Sequence, residues 1–173
     1  HNPDDANWSV TENPGYYRIK NGKVAGNIWF ARNSLTQRTV GPNFTSETCV
    51  LTENMKPGDY AGLAAISAHY GMVGVKCDEN GNRYVFQGCN SNTNSGAKAK
   101  KEDKIKENAV SKEKIEGNAP VYLKIEYAFN TGKTRADRAK FFYSLDGENW
   151  KSIGETFSLG FDTSTTFMGT RSW

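Results

Sequence analysis

The 173-residue chain has only three cysteines and two histidines, and neither set is arranged for metal chemistry. Cys49, Cys77 and Cys89 lack CxxC spacing, and His1 and His69 cannot form a cluster by themselves, which argues against a zinc site. Cys49, in an apolar strand pattern, reads as a buried thiol. Cys77 and Cys89 flank a hairpin able to set them opposite each other, so a bridge between them is an open expectation. No run approaches the roughly 18 apolar residues of a membrane span, and no charged-then-apolar start resembles a signal peptide. The net charge is +3, from 22 basic and 19 acidic residues of mixed order, which gives no footprint for nucleic acid. Gly74-Val75-Lys76 and Gly132-Lys133-Thr134 lack the glycine spacing that cradles phosphate. A glycosidase holds two carboxyls about 5 to 9.5 Å apart across a cleft. Of Asp59, Asp78, Glu126, Asp146 and Glu155, most sit at turns or on wet strand faces, and no pair stands out.

What is present is turn chemistry and aromatic strand pattern. Seventeen glycines, 12% aromatic residues and a hydrophobic share of 36% describe a turn-rich, all-β protein of one domain, long enough for a substantial core. The segment Ile28-Trp29-Phe30-Ala31-Arg32-Asn33-Ser34-Leu35-Thr36-Gln37-Arg38-Thr39 starts as an apolar run and ends in β-branched and polar alternation, read as strand until Gly41-Pro42 stops it. Tyr16 to Lys20, Phe44 to Thr52 and Val121 to Phe129 alternate as further strands, the last with Lys124 and Glu126 on its wet side. Tyr60 to Tyr70 reads as one central strand whose small residues accommodate bulk from a neighbour. Met72 to Cys77 and Arg83 to Gln87 form a hairpin around Asn80-Gly81. Its oxygen-rich turn, Asp78 to Asn82, lacks the downstream glutamate of a calcium loop; a plain turn is the reading, with a structural calcium as the alternative and no other cofactor. Arg138 to Leu145 pairs through Asp146-Gly147-Glu148-Asn149 with Trp150 to Ile153.

Residues 90–118 change character, with seven lysines alternating with acidic residues after an Asn/Ser-rich start. They read as an exposed insertion, partly disordered or weakly helical. Both ends of residues 1–173 read as cut, since the start is abrupt and Phe167 to Trp173 resembles the beginning of a strand.

Sugar binding asks for an aromatic face against a pyranose and polar groups for its hydroxyls. The candidate residues, for glycan binding or for contact with a neighbouring domain, are Arg32, Asn33, Gln37 and Arg38 with Tyr16 and Trp29. The opposing readings are core packing for the tryptophan and plain surface charge, or an interdomain ion pair, for the arginines.

Four ordered motifs carry a family resemblance. They are His1 to Asp5, Trp8 to Ile19, Ala31 to Arg38 with Gly41-Pro42, and Met55 to Leu63, continued more loosely by Phe141 to Gly147 and Trp150. Together they resemble the C-terminal module of family 43 β-xylosidases. The resemblance implies a concanavalin A-like jelly-roll sandwich of two curved antiparallel sheets, attached to a five-bladed propeller that carries the hydrolytic carboxylates. It implies a non-catalytic module that binds xylan or arabinoxylan, or one that packs on and completes the propeller without binding free glycan. An independent glycan-active enzyme is the third reading.

Overall fold

The computed structural model describes residues 4–26, 28–31, 34–67, 69–90, 106–129, 137–159 and 171–172. Among them there is no α-helix. Thirteen strands run in chain order: β1 Trp8–Ser9, β2 Arg18–Ile19, β3 Gln37–Arg38, β4 Asn43–Val50, β5 Tyr60–Ile66, β6 Tyr70–Cys77, β7 Arg83–Asn90, β8 Lys106–Ile115, β9 Val121–Ala128, β10 Arg138–Ser144, β11 Lys151–Ser152, β12 Phe157–Ser158 and β13 Arg171–Ser172. All pairings are antiparallel. One sheet has the order β3-β13-β5-β6-β7-β8 and the other β11-β10-β9-β4, with β12 also on β10; β1 and β2 form a separate ribbon.

Strict alternation in β9 builds the layer between the sheets. Val121, Leu123, Ile125 and Tyr127 face inward and meet Val73, Val75 and Val85 of the six-stranded sheet. Phe141 of β10 reaches across to β6, where a Cβ on Gly71 would stand 2.9 Å from its ring. The glycine leaves the space that the aromatic rings of Phe141 and Phe157 fill.

The hairpin expected around Asn80-Gly81 is present as β6 and β7, with Cys77 opposite Arg83. The same register puts Cys89 opposite Gly71, about 20 Å along the strand from Cys77 at the ordinary rise per residue. A bridge between them is thereby corrected: all three cysteines are free thiols. Cys49 is also corrected from buried to half-buried, because it lies on the outward side of β4 while Phe44 and Val50 pack on the core. Partial burial still pushes its thiol pKa up.

Three other expectations change. Tyr60 to Tyr70 is two strands, β5 and the start of β6, reversing where the Ser67 amide donates to the His69 carbonyl at 2.8 Å; no Gly, Asn or Pro marks this turn. Ile28–Phe30 is a 3-10 turn, since its apolar residues serve as a cap over a sheet face, and among the described residues of that segment only Gln37–Arg38 is strand. Within the lysine-rich region, residues 91–105 lie outside the described residues, whereas Lys106–Ile115 is a ten-residue edge strand with Ile115 buried. Lysine and glutamate argue against strand by propensity, yet suit an edge that must not pair further. Glu113 sits opposite Val85 and meets Lys151 of the other sheet at 3.3 Å, closing the rim with an ion pair.

The turn after β10 follows the expectation. The Asp146 carboxylate accepts from the Asn149 side chain and amide, the Glu148 amide and the Ser144 hydroxyl, at 2.7 to 2.9 Å. These bonds, the Asn149 side chain's first, hold its pKa well below the usual carboxylate range. A pKa lowered by folding adds stability that is complete above the unfolded value of about 4 and is lost as the pH falls from there toward the folded value. Asp146→Asn is therefore expected to lower the urea midpoint at neutral pH, with the gap from wild type narrowing below about pH 4. A gap independent of pH would show that the charge plays no part in holding this turn.

Candidate functional site

Two outward sheet faces and one surface segment are the places where a ligand or partner could meet the sandwich. On the six-stranded sheet, successive rungs carry Gly62, Gly74 and Phe86, then Ala64 and Met72, then Ile66 and Tyr70. Small residues beside large ones let rings lie flat: a Cβ on Gly74 would meet the Phe86 ring at 3.1 Å, and Tyr60 caps Phe86 edge-on at 5.4 Å. Ile28 and Trp29 pack onto this cluster, Trp29 edge-on to Tyr70 at 6.0 Å. The chain's own side chains thus cover part of this face.

Trp29 is half-buried and packs against this cluster. Arg32 and Asn33 lie outside the described residues. Gln37 and Arg38 are both exposed on β3. Through β13, Arg38 shares a rung with Ile66 and Gln37 with Ala65. Ile66 belongs to the outer cluster and Ala65 to the inter-sheet core, so the register assigns Gln37 and Arg38 to opposite faces. Tyr16 stands apart in the turn before β2, where its amide donates to the Asn13 carbonyl at 3.0 Å. The described candidates are distributed over several surfaces rather than gathered in one.

Four of the five carboxylates named from the sequence have partners among the described residues, Asp146 within its turn. Asp59 accepts from Asn21 and the Lys56 amide, and Asp78 from the Asn80 and Asn82 amides of its own loop. Glu126 pairs with Lys124 at 3.4 Å. Such bonds define turns and strand faces. Among the described residues no three His, Cys, Asp or Glu side chains come together as a metal site.

The second surface is an apolar segment. Among the described residues, eight of the ten large apolar side chains that stand exposed lie between residues 10 and 40, from Val10 through Tyr16, Tyr17, Ile19, Val24, Phe30 and Leu35 to Val40. Trp8 and Tyr17 contact each other at 6.0 Å on the β1-β2 ribbon, beside Arg18 and Lys20, which share Glu12 at 3.6 and 3.0 Å.

The third is a groove of about 280 Å³ on the outer face of the five-stranded sheet, lined by residues of β4, β9 and β10. Next to it, the Lys124 ammonium sits over the rings of Trp150 and Phe142 at 4.4 and 5.0 Å. The alternation of β9 was visible in the sequence, but the register that aligns Asn43, Ala128 and Arg138 was not.

Comparison with known proteins agrees with this architecture. Residues 1–172 match the family described as the β-xylosidase C-terminal concanavalin A-like domain. A β-xylosidase of Formosa agariphila is 27% identical over 197 residues, covering 100% of this chain and 29% of that protein. A bifunctional GH43-CE protein of Bacteroides eggerthii superposes with a TM-score of 0.82 at 36% identity, covering 99% of this chain and 20% of that one. The GH43 protein BlXynB of Bacillus licheniformis has a TM-score of 0.70 over 99% of this chain and 31% of its own, and at 23% identity it supports the fold alone. The chain spans less than a third of each of these relatives. With the two antiparallel sheets and the match across residues 1–172, the chain belongs to the β-xylosidase C-terminal concanavalin A-like domain family.

Proposed function

We propose that this chain is a non-catalytic β-sandwich domain that packs on and completes the catalytic domain of a family 43 glycoside hydrolase. The observation that carries the reading is the concentration of exposed apolar side chains between residues 10 and 40. Exposed large apolar side chains gathered in one stretch of a small domain favour an interaction role, and interfaces between domains of one chain have this mixed apolar and charged character. Engagement of Asp59, Asp78 and Asp146 in turns supports a non-catalytic role.

Binding of xylan or arabinoxylan is the second reading. Exposed Tyr16 and Tyr17 beside Trp8, with Arg18 and Lys20 adjacent, offer aromatic faces and donors of the kind a sugar uses.

Calorimetric titration of the chain against a separately produced family 43 propeller domain, and against xylohexaose, separates the two. Saturable association with the propeller, weakened at least about tenfold by Tyr17→Ser with Ile19→Ser, is expected. Saturable binding of xylohexaose, with none to the propeller, would establish the glycan-binding role instead, and its loss on Tyr16→Ala or Tyr17→Ala would locate the site. Xylosidase activity in the purified chain would overturn the non-catalytic assignment.

A further inference from the structure

We propose that the outer face of the five-stranded sheet binds a single carboxylated pyranose, a hexuronate, seated over Ala128. Asn43, Ala128 and Arg138 share one rung of this face, and Thr45, Glu126 and Lys140 the next. Strands are about 4.8 Å apart, so the outer members of each rung flank the middle one at roughly 10 Å from each other. In the first rung the middle residue is alanine. Its methyl makes a floor between longer neighbours, and this is the physical origin of the groove. Glu126 pairs along its own strand with Lys124 at 3.4 Å, which balances its charge at one end. The volume, about 280 Å³, lies just below the usual span of small-molecule sites and suits one sugar ring rather than a polymer segment.

The chemistry of the two walls differs. Arg138 and Lys140 line one, and both are exposed. The Arg138 Nη1 donates to the Ser158 hydroxyl at 3.0 Å and to the Asp137 carbonyl at 3.3 Å, so the guanidinium is positioned before a ligand arrives. Both bonds use Nη1, which leaves the Nε–Nη2 edge for the fork geometry that pairs with a carboxylate. Asn43 and Thr45, exposed on the other wall, supply an amide and a hydroxyl for ring hydroxyls. A neutral pentose would satisfy the second wall and leave the cationic wall without a partner. The groove lies on the far side of the sandwich from Ile28 and Trp29, so covering the latter face leaves it accessible.

Amide NMR spectra of the 173-residue chain titrated with sodium glucuronate, xylose and sodium acetate test the assignment. Glucuronate is expected to shift the amides of residues 43–45, 126–128 and 138–140 saturably, with a Kd of about 1 mM. Xylose and acetate, each carrying half of the recognised chemistry, should bind at least about tenfold more weakly. Arg138→Gln with Lys140→Gln should abolish the response while leaving the remaining spectrum in place; Arg138→Lys, which keeps the charge and removes the fork, should weaken it. No saturable shift with glucuronate, an equal response to acetate or xylose, or full binding by the double variant would each overturn the proposal. These results do not depend on whether the chain associates with a propeller.

Discussion

Replacing Phe141 with alanine is expected to destabilise the folded chain by about 3–5 kcal/mol, the cost of emptying an aromatic site in a well-packed core. The ring is almost fully buried and spans the space between the sheets. It contacts Phe157 at 6.5 Å between centroids and ends over Gly71 of the opposite sheet. Neither side can collapse into the void, because Gly71 has no side chain to move and β10 is fixed by seven rungs to β9. A urea midpoint shifted with unchanged slope would show a cavity in an intact fold. A loss below about 1.5 kcal/mol would mean that the sheets close over the gap.

Gly62→Val is expected to cost about 3 kcal/mol or more, for the opposite reason. Gly62 lies opposite Gly74 in the β5-β6 pair. A Cβ there would stand 2.3 Å from the Val73 carbonyl oxygen and 2.5 Å from the Gly74 Cα. These neighbours are backbone, and moving them means parting two central strands of the six-stranded sheet. A flexible side chain could yield cheaply, as the Asn7 amide could for a substitution at Gly22. Gly22→Ala is therefore the control, expected to stay within about 1 kcal/mol of wild type. Comparable urea midpoints for the two variants would refute the claim that backbone approach, rather than general crowding, requires glycine at position 62.

The two substitutions bracket what was readable in advance. Val121 to Ala128 announced itself because a strand buried on one face alternates with period two, and the alternation survives as four inward apolar residues with Lys124 and Glu126 outward. Asn80-Gly81 announced a hairpin because a tight turn needs positive φ, which Gly81 adopts. Lys106–Ile115 did not announce itself, because an edge strand answers to the need to avoid further pairing more than to burial. Ile28-Trp29-Phe30 misled for the converse reason: an apolar run has no label saying whether it forms a sheet or covers one.

The candidate site divides in the same way. The sequence marked Gln37 and Arg38 as neighbours along the chain, yet adjacent residues of a strand point to opposite sides, and the β13 register applies that rule to this pair. Asn43 and Arg138 are 95 positions apart in the sequence and share one rung through Ala128 only because β4 and β10 both pair with β9. Composition, alternation and turn residues by themselves determined an all-β chain, the places of its clearest turns and, through ordered motifs, its family. The tertiary structure alone decided which side chains meet, because register is a long-range choice: a slip of one residue would exchange the core and solvent faces of a strand without altering its local pattern.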